Sequence, residues 1–184
     1  MTLPRFKLAV VSSEDGFIAR APGHAPHEWA SAEEQEIFFR EVDATDWSIM
    51  GRGTHEAADK PERRRIIFSG QVDQPTWRRP TQLWIDPADL SANQLPALVS
   101  GKHKFETGLI LGGTRVHDWF LSQNAIDVVL LTVEPLRFGD GLPIFSNQSA
   151  NRPEPVMRAA GFELTSLQEL NAGGTRLLTY QRAT

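Results

Sequence analysis

The stretch Leu109-Ile110-Leu111-Gly112-Gly113-Thr114-Arg115-Val116-His117-Asp118-Trp119-Phe120-Leu121 decides the fold class of this chain. Two adjacent glycines separate a short apolar run from an amphipathic run, which predicts a strand that passes directly into a helix. Because glycine has no Cβ, the backbone there can adopt positive φ and a ligand can lie against it. The first N–H groups of the helix favour an anion such as a phosphate. A tight turn without any ligand is the alternative interpretation.

Two further strand ends carry glycine in the same way. They are Met50-Gly51-Arg52-Gly53-Thr54 and Phe68-Ser69-Gly70. In an open α/β sheet, ligands bind beyond the carboxyl ends of the strands, so three such junctions can share one extended ligand. A dinucleotide with its diphosphate and 2′-phosphate fits that description. A standard Rossmann dehydrogenase is not expected, because Gly51-Arg52-Gly53 lacks the third glycine of its fingerprint.

The remaining pattern predicts an α/β domain. Apolar runs predict strands at 6–11, 47–50, 65–68, 83–85, 108–111 and 126–133, and a closing pair at 159–164 and 175–180. Helices are predicted from the N-cap Ser31 to about Val42, over 89–100 and over 114–122, whereas 138–145 is predicted to be a loop. Alternating strands and helices followed by a hairpin-like pair indicate a mainly parallel sheet with an antiparallel edge at the C-terminus. No linker divides the chain, so residues 1–184 are expected to form a single domain.

Composition excludes several classes of function. The 184 residues are 40% hydrophobic and 23% charged, as is usual for a globular protein, and the net charge of −4 gives no support for a nucleic-acid partner. Without cysteine, the chain has no disulfide, catalytic thiolate or cysteine metal site, and His24 and His27 have no evident metal-ligand partner, so no metal is predicted. The first residues lack an apolar signal core and no run approaches membrane length, which predicts a cytoplasmic protein without membrane contact.

The glycine segments, in order and spacing, resemble the three cofactor segments of dihydrofolate reductase. Other parts resemble the reductase domain of bacterial riboflavin biosynthesis: 13–19, 125–130 with Glu134-Pro135, and 139–145. The resemblance implies a member, standing alone, of the dihydrofolate reductase-like superfamily. It also implies a three-layer fold with helices on both faces of the sheet, NADPH as cofactor and a homodimer.

The same resemblance implies which residues would bind NADPH. Residues around the end of the first strand would border the nicotinamide, namely Ala9, Val10, Gly16 and Ile18. The second segment, Gly51, Arg52, Gly53 and Thr54, would contact the cofactor phosphates, and Phe68, Ser69 and Gly70 would line the adenosine end. Gly112 and the amides of Gly113, Thr114, Arg115 and Val116 would hold the diphosphate.

Reduction of a C=N-type centre also requires a proton, and a carboxyl group in an apolar pocket suits that role because burial raises its pKa. By resemblance the acid is Glu34, five residues after Trp29, and Thr132 would support it. Glu34 is equally the third residue of a capping box that begins at Ser31, which is a purely structural role. Asp15 is the next acid, although an Asp-Gly turn explains it more simply.

Trp29, Phe38 and His117 are the candidate substrate-binding residues. Phe38 is equally suited to core packing, and His117 to an ordinary helix position. Leu111 stands where riboflavin-pathway reductases carry an acid, which argues against the ribosylaminouracil phosphate. Residues 43–46 offer no arginine for the glutamate tail of folate. We therefore expect a reductase acting on a pyrimidine or pterin-type substrate, resembling 5-amino-6-(5-phosphoribosylamino)uracil reductase. The alternatives are a dihydrofolate reductase and a non-catalytic nucleotide- or pterin-binding module.

Overall fold

The computed structural model describes residues 3–183, so residues 1, 2 and 184 of the predicted domain lie outside the described part. A nine-stranded sheet runs through these described residues. Its strands lie in the order β10-β11-β8-β1-β7-β3-β4-β6-β5. The elements are β1 (Arg5–Ser13), β2 (Phe17–Ala19), α1 (Ala32–Ala44), β3 (Trp47–Gly51), α2 (Arg52–Ala57), β4 (Arg65–Phe68), β5 (Thr76–Arg79), β6 (Gln82–Ile85), α3 (Leu95–Leu98), β7 (Thr107–Gly112), α4 (Thr114–Ser122), β8 (Val128–Glu134), β9 (Leu142–Pro143), α5 (Pro153–Ala159), β10 (Phe162–Glu169) and β11 (Arg176–Arg182).

The mixed sheet confirms the predicted fold class. Strands β8, β1, β7, β3, β4 and β6 are parallel, whereas β11 is antiparallel to β8 and β10 to β11. Their short, mostly buried apolar runs are typical of parallel strands with helices on both faces. The antiparallel pair at the C-terminus follows from the short connection between β10 and β11, which permits a hairpin but not a crossover.

Helices cover both faces of the sheet. On one face Phe120 of α4 packs against Phe6 of β1, with ring centroids 5.0 Å apart, and this face holds the main apolar core. On the other face Lys7 of β1 forms an ion pair of 2.5 Å with Glu41 of α1. Side chains alternate between the faces along each strand, so Ala9, Val11 and Ser13 follow Lys7 toward α1.

The α1 face of the central strands is incompletely covered. Ala9 of β1 and Leu130 of β8 pair with each other and are only half-buried, whereas their neighbours Leu8 and Leu131 are fully buried on the opposite face. Half-buried apolar residues in the middle of a sheet mean that the covering layer is open there. The fold therefore leaves a cleft between α1 and the central strands.

Three local predictions are wrong, and one strand of the main sheet had no prediction. The segment 89–100 is not one helix: it contains a 3₁₀ turn at Ala92–Gln94 and the single turn α3, because Pro96 lacks an N–H and is accepted only in a first helical turn. β5 was not predicted, and the predicted loop 138–145 contains β9, which pairs with β2. Residues 153–159 form α5, and Gly161, with φ of +87°, lies in the turn after this helix, so the first closing strand begins at Phe162 rather than at 159. Between residues 3 and 183, no helix combines the length and apolarity needed to cross a membrane.

Candidate active site

The parallel strands bring the glycine junctions to one edge of the sheet. β7 ends at Gly112 and β3 ends at Gly51, and a Cβ placed on Gly51 would lie 3.9 Å from the Gly112 carbonyl oxygen. Phe68 at the end of β4 pairs with Gly51 in register. The three segments that the sequence analysis singled out are thus neighbours in space, because carboxyl ends of adjacent parallel strands meet at the same edge.

The start of α4 presents backbone N–H groups at this edge. Gly113 is the N-cap, no side chain caps the helix, and a Cβ on Gly113 would meet nothing within 4 Å. Among the described residues, no acceptor binds the amides of Gly113, Thr114 and Arg115, whereas the Val116 amide donates to the Gly113 carbonyl oxygen at 2.9 Å. The predicted anion site therefore has three available amides, and the role of Val116 is to pack its side chain 3.5 Å from the Cβ position of Gly51.

The second and third junctions differ in what they offer a ligand. Arg52 is exposed, with its guanidinium 4.0 Å from Glu56, and Gly53 and Gly70 are exposed as well, whereas Thr54 is half-buried. The Phe68 ring packs in the core against Trp119, with centroids 4.9 Å apart, so its side chain is not available to a cofactor. The Ser69 hydroxyl accepts a hydrogen bond from the Gln71 amide at 3.2 Å.

Asp86 is a charged residue at this edge that was not among the predicted site residues. Its Oδ2 lies 3.9 Å from the Cβ position of Gly70, and the residue is exposed. Asp86 directly follows the strand that ends at Ile85, a position that could have drawn attention to it. The negative charge of this carboxylate would disfavour a 2′-phosphate at the predicted adenosine end.

Glu34 is a buried carboxyl group at the start of α1. The side chain is 8% exposed, and burial together with the negative charge of Glu134 raises its pKa to about 7. The Ser31 hydroxyl accepts from the Glu34 amide at 3.2 Å, as the predicted capping box requires. The reciprocal bond is different: the Ser31 amide donates to Glu134 Oε1 at 2.7 Å rather than to Glu34. The carboxyl group of Glu34 is therefore not used by the helix cap.

Thr132 and Glu134 both lie on the α1 face of β8. Thr132 pairs with Val11 and Glu134 with Ser13, and both are nearly fully buried. Within residues 3–183 no hydrogen bond joins Thr132 to Glu34, so the predicted support by Thr132 remains a prediction. Glu134 was recognised only as part of a Glu-Pro motif; a glutamate at the end of an apolar strand was the available signal.

Asp15 has the opposite electrostatic surroundings. Burial raises its pKa, but hydrogen bonds from Ser13, Gly139 and Phe138 outweigh burial and hold the pKa below its usual value. The Gly139 and Phe138 amides donate to its two carboxylate oxygens at 2.7 and 3.0 Å. Asp15 therefore ties the loop after β1 to the loop after β8 and is not suited to donate a proton.

The residues predicted at the nicotinamide do not all face the cleft. Ala9 does, but Val10 points toward α4 and belongs to the main core. Gly16 is buried with φ of +83°, and Ile18 is half-buried in β2.

The three predicted substrate residues have different surroundings. Trp29 packs edge-on against Phe138 at 5.0 Å, and its buried Nε1 has no hydrogen-bond partner among the described residues. Phe38 faces a pocket on the α1 side, one helical turn beyond Glu34. His117 is 1% exposed, burial lowers its pKa to about 4, and its Nδ1 is 2.8 Å from the Ile144 carbonyl oxygen. His117 thus supports the glycine turn from inside: its Nε2 is 3.0 Å from the Cβ position of Gly112.

The pocket beside Phe38 combines apolar and basic side chains. It is lined by Phe38, Phe39, Val42, Ser48, Lys60, Glu62, Arg63, Arg65 and Leu111. The Arg63 guanidinium forms an ion pair with Asp43, so the fold places an arginine beside a segment that has none of its own. No group of three or more His, Cys, Asp or Glu residues in the described chain is arranged to hold a metal ion.

Comparison with solved structures shows the fold. A riboflavin biosynthesis protein from Shewanella sp. PV-4 aligns with a TM-score of 0.69 at 18% identity, covering 98% of this chain and 99% of that one. The dihydrofolate reductase of Enterococcus faecalis, solved with NADP(H), aligns with a TM-score of 0.67 at 19% identity over 98% of this chain and 97% of that one. RibD of Acinetobacter baumannii gives a TM-score of 0.74 at 19% identity over 99% of this chain, which spans 59% of RibD.

The chain has the dihydrofolate reductase-like fold, which its structural neighbours in riboflavin biosynthesis share. Neither protein-family models nor curated protein sequences give a match to the chain.

Proposed function

We propose that this protein is an NADPH-dependent reductase that transfers a hydride to a C=N-type centre of a pyrimidine or pterin-type substrate, with Glu34 as the proton donor. The observation that carries the proposal is the buried Glu34 carboxyl at the start of α1, whose pKa burial and the charge of Glu134 raise to about 7. A strongly perturbed carboxyl in a cleft is a candidate for acid–base catalysis. The reductases among the structural neighbours support the same reaction class.

The edge of the sheet suits a nicotinamide dinucleotide. The amides of Gly113, Thr114 and Arg115 would hold the diphosphate, and open space beside Gly113 and Gly53 lets phosphates approach the backbone. The exposed Arg52 would contact a phosphate at the neighbouring strand end. When bound, NADPH supplies the hydride.

Glu34 would deliver the proton to the nitrogen of the C=N bond as the carbon is reduced. Its pKa of about 7 means that it carries a proton below that pH and loses it above, so activity is expected to fall as the pH rises through 7. Trp29 and Phe38 would border the substrate and help to exclude water, which strengthens electrostatic interactions within the cleft.

The lining of the pocket beside Phe38 indicates which chemical features a substrate would have. Phe38, Phe39 and Leu111 offer an apolar surface for a planar heterocycle, and Lys60 offers positive charge for an anionic extension beside the acidic Glu62. This combination fits both a phosphoribosyl pyrimidine and a folate tail. Arg63 is already paired with Asp43, so it would bind an anion only by exchanging that partner. Arg63 beside Asp43 specifically favours dihydrofolate reduction as a second candidate, because it supplies the arginine missing from residues 43–46.

The first experiment is a titration of the purified protein with NADPH and with NADH, followed by the fluorescence of its five tryptophans. Saturable NADPH binding is expected, followed by turnover of a pyrimidine or pterin-type compound, tested first with 5-amino-6-(5-phosphoribosylamino)uracil and dihydrofolate, in an assay of NADPH absorbance. Turnover of dihydrofolate instead would favour the second candidate. Binding with no turnover of either compound would favour a nucleotide- or pterin-binding module. A failure of both cofactors to bind would contradict the proposal.

The variant Glu34→Gln tests the acid. Turnover is expected to fall by about 10²–10⁴-fold, the usual contribution of a general acid, with unchanged NADPH affinity. Retention of full turnover would remove Glu34 from the mechanism.

Thermal unfolding provides the control for folding of this variant. Folding raises the Glu34 pKa from 4.5 to about 7. The protonated Glu34 therefore contributes fully to the free energy of unfolding below pH 4.5, and this contribution is lost as the pH rises through 7. At pH 8 the wild type therefore carries a buried charge that the variant lacks. Glu34→Gln is expected to be more stable there by on the order of 3 kcal/mol, with little gain at pH 5.

A further inference from the structure

The start of α1 is held by a carboxylate from a distant strand. In a capping box, the glutamate three residues after the N-cap accepts the N-cap amide. Here Glu34 occupies that position, yet Glu134, 103 residues apart from Ser31 in the chain, accepts the Ser31 amide at 2.7 Å. One glutamate has taken the structural role of another.

The second oxygen of Glu134 is also fixed. Glu134 Oε2 accepts a hydrogen bond from the Thr175 hydroxyl at 2.7 Å, and both residues are almost fully buried, at 3% and 2% exposure. With one hydrogen bond accepted on each oxygen, the Glu134 carboxylate is held at the start of α1. A buried carboxylate retained in this way needs its hydrogen bonds, because an unsatisfied one is costly.

The network extends to the turn between β10 and β11. Asn171 Nδ2 donates to Thr175 Oγ1 and to Glu33 Oε2, each at 3.1 Å. α1 also carries Glu36, Arg40, Glu41 and Asp43, and β10 and β11 carry Glu163, Glu169, Arg176 and Arg182; of these, Glu41 is paired with Lys7 and Arg176 with Glu154. Glu33 is directed to Asn171, and the negative charge of Glu134 raises the pKa of Glu34. Glu134 is therefore the charge that acts on Glu34, while Thr175 and Asn171 hold that charge in place.

We propose that Glu134 is a positioning residue for Glu34: it frees the Glu34 carboxyl from the helix cap and places a fixed negative charge beside it. The like charge favours the protonated form of Glu34. The inference rests on the proposed function for its catalytic meaning, but the contact itself is measurable without any substrate.

The direct test is a ¹³C NMR titration of protein labelled at the glutamate δ-carbon. The Glu34 signal is identified by its absence in Glu34→Gln. In Glu134→Gln, which keeps the size and the carbonyl acceptor but removes the charge, the Glu34 midpoint is expected to fall by about one pH unit or more. Glu33→Gln is the matched control: it removes a charge from the same helix and network, and the midpoint should move by less than about 0.3 unit. An unchanged midpoint in Glu134→Gln would overturn the proposal.

Hydrogen exchange of the Ser31 amide tests the cap and does not depend on a Glu134 variant that folds. In Glu34→Ala the Ser31 amide should stay as protected as in the wild type, since Glu134 holds it. Faster exchange would show that Glu34 caps the helix and would overturn the proposal.

The two proposals fail in distinguishable ways. If no substrate is turned over, the NMR midpoints still decide whether Glu134 acts on Glu34. If a substrate is turned over, the pH profile of turnover in Glu134→Gln should shift to lower pH together with the NMR midpoint of Glu34. If the midpoint moves and the pH profile of turnover does not, a group other than Glu34 donates the proton.

Discussion

Two carboxyl groups near the same cleft have opposite proton affinities because of the partners that surround them. Asp15 receives amide hydrogen bonds on both oxygens, which stabilise its charge, whereas burial and the negative charge of Glu134 destabilise the charge of Glu34. The sequence alone offered both residues as candidate acids. Their separation depends on Gly139 and Glu134, residues more than 90 positions away along the chain, so no local pattern could have ranked them with the same certainty.

At the residue scale, the proposed preference for NADPH is testable at Arg52 and Asp86. If Arg52 contacts the 2′-phosphate, Arg52→Ala should weaken NADPH binding by about tenfold or more and leave NADH binding nearly unchanged. Asp86→Asn should have the reverse sign, since it removes a carboxylate beside Gly70. Tryptophan fluorescence titrations with both cofactors measure this.

Arg64→Ala is the control for the Arg52 experiment, because that side chain donates to the Asp46 carbonyl oxygen away from the glycine edge. If Arg52→Ala weakens the binding of NADPH and of NADH equally, Arg52 contacts the diphosphate that both cofactors share or has a structural role.

At the scale of elements, the turn between β7 and α4 contains two glycines with different constraints. Gly112 has φ of +103°, and a Cβ there would lie 3.0 Å from the buried His117 ring, whereas a Cβ on Gly113 would meet open space. Gly112→Ala should therefore destabilise the protein by about 1–3 kcal/mol, a typical cost of forcing a side chain into this backbone region. Gly113→Ala should change stability by less than about 1 kcal/mol. Thermal or urea unfolding of the matched pair measures the difference.

The cofactor gives the same pair a second measurement. Gly113→Ala places a methyl group where the diphosphate is predicted to approach, so it should weaken NADPH binding while the fold is retained. If Gly112→Ala is as stable as the wild type, the buried histidine is not what fixes this turn.

Elements with a clear period were predictable, and elements held by tertiary contacts were not. The strands 47–50 and 65–68 and the helix from Ser31 follow from apolar runs and a cap, and the structure confirms them. β5 carries the polar sequence Thr76–Arg79 and exists because β6 pairs with it and Arg79 reaches Asp59 at 2.6 Å. The short β2–β9 pair likewise depends on partners 120 or more residues apart.

At the scale of the whole molecule, the sequence placed the glycine junctions on one sheet but could not show which groups share a cleft. Glu134, Thr175 and Arg63 come from separate segments, and the order β11-β8-β1-β7-β3-β4 brings the strands that contain or adjoin them into one sheet. Sequence motifs therefore predicted the proposed cofactor edge better than they predicted the surroundings of the proposed proton donor. The reason is physical: a phosphate cradle is built from one strand–helix junction, whereas an acid's pKa is set by whatever packs against it.

The two edges of the sheet differ, and this bears on the predicted homodimer. β5 is four residues long and carries Arg78 and Arg79, which protect an edge from pairing with another chain. β10 is eight residues long and has a bulge between Leu164 and Ser166. Because of this bulge, Leu164 and Leu167 lie on the same face, paired across the strand with Tyr180 and Leu178. Leu164 is 50% exposed and Leu167 is 52% exposed. We propose that a second copy covers this strand.

The measurement is sedimentation velocity of the wild type and of two double variants at equal concentration. The wild type should sediment as a particle of about twice 20.5 kDa. Leu164→Glu with Leu167→Glu should sediment as a monomer with unchanged circular dichroism, because buried charges oppose association. Ser166→Glu with Gln168→Glu adds the same charge to the opposite face of the same strand and should remain dimeric. A wild-type monomer, or equal dissociation of both variants, would contradict a dimer formed through this face of β10.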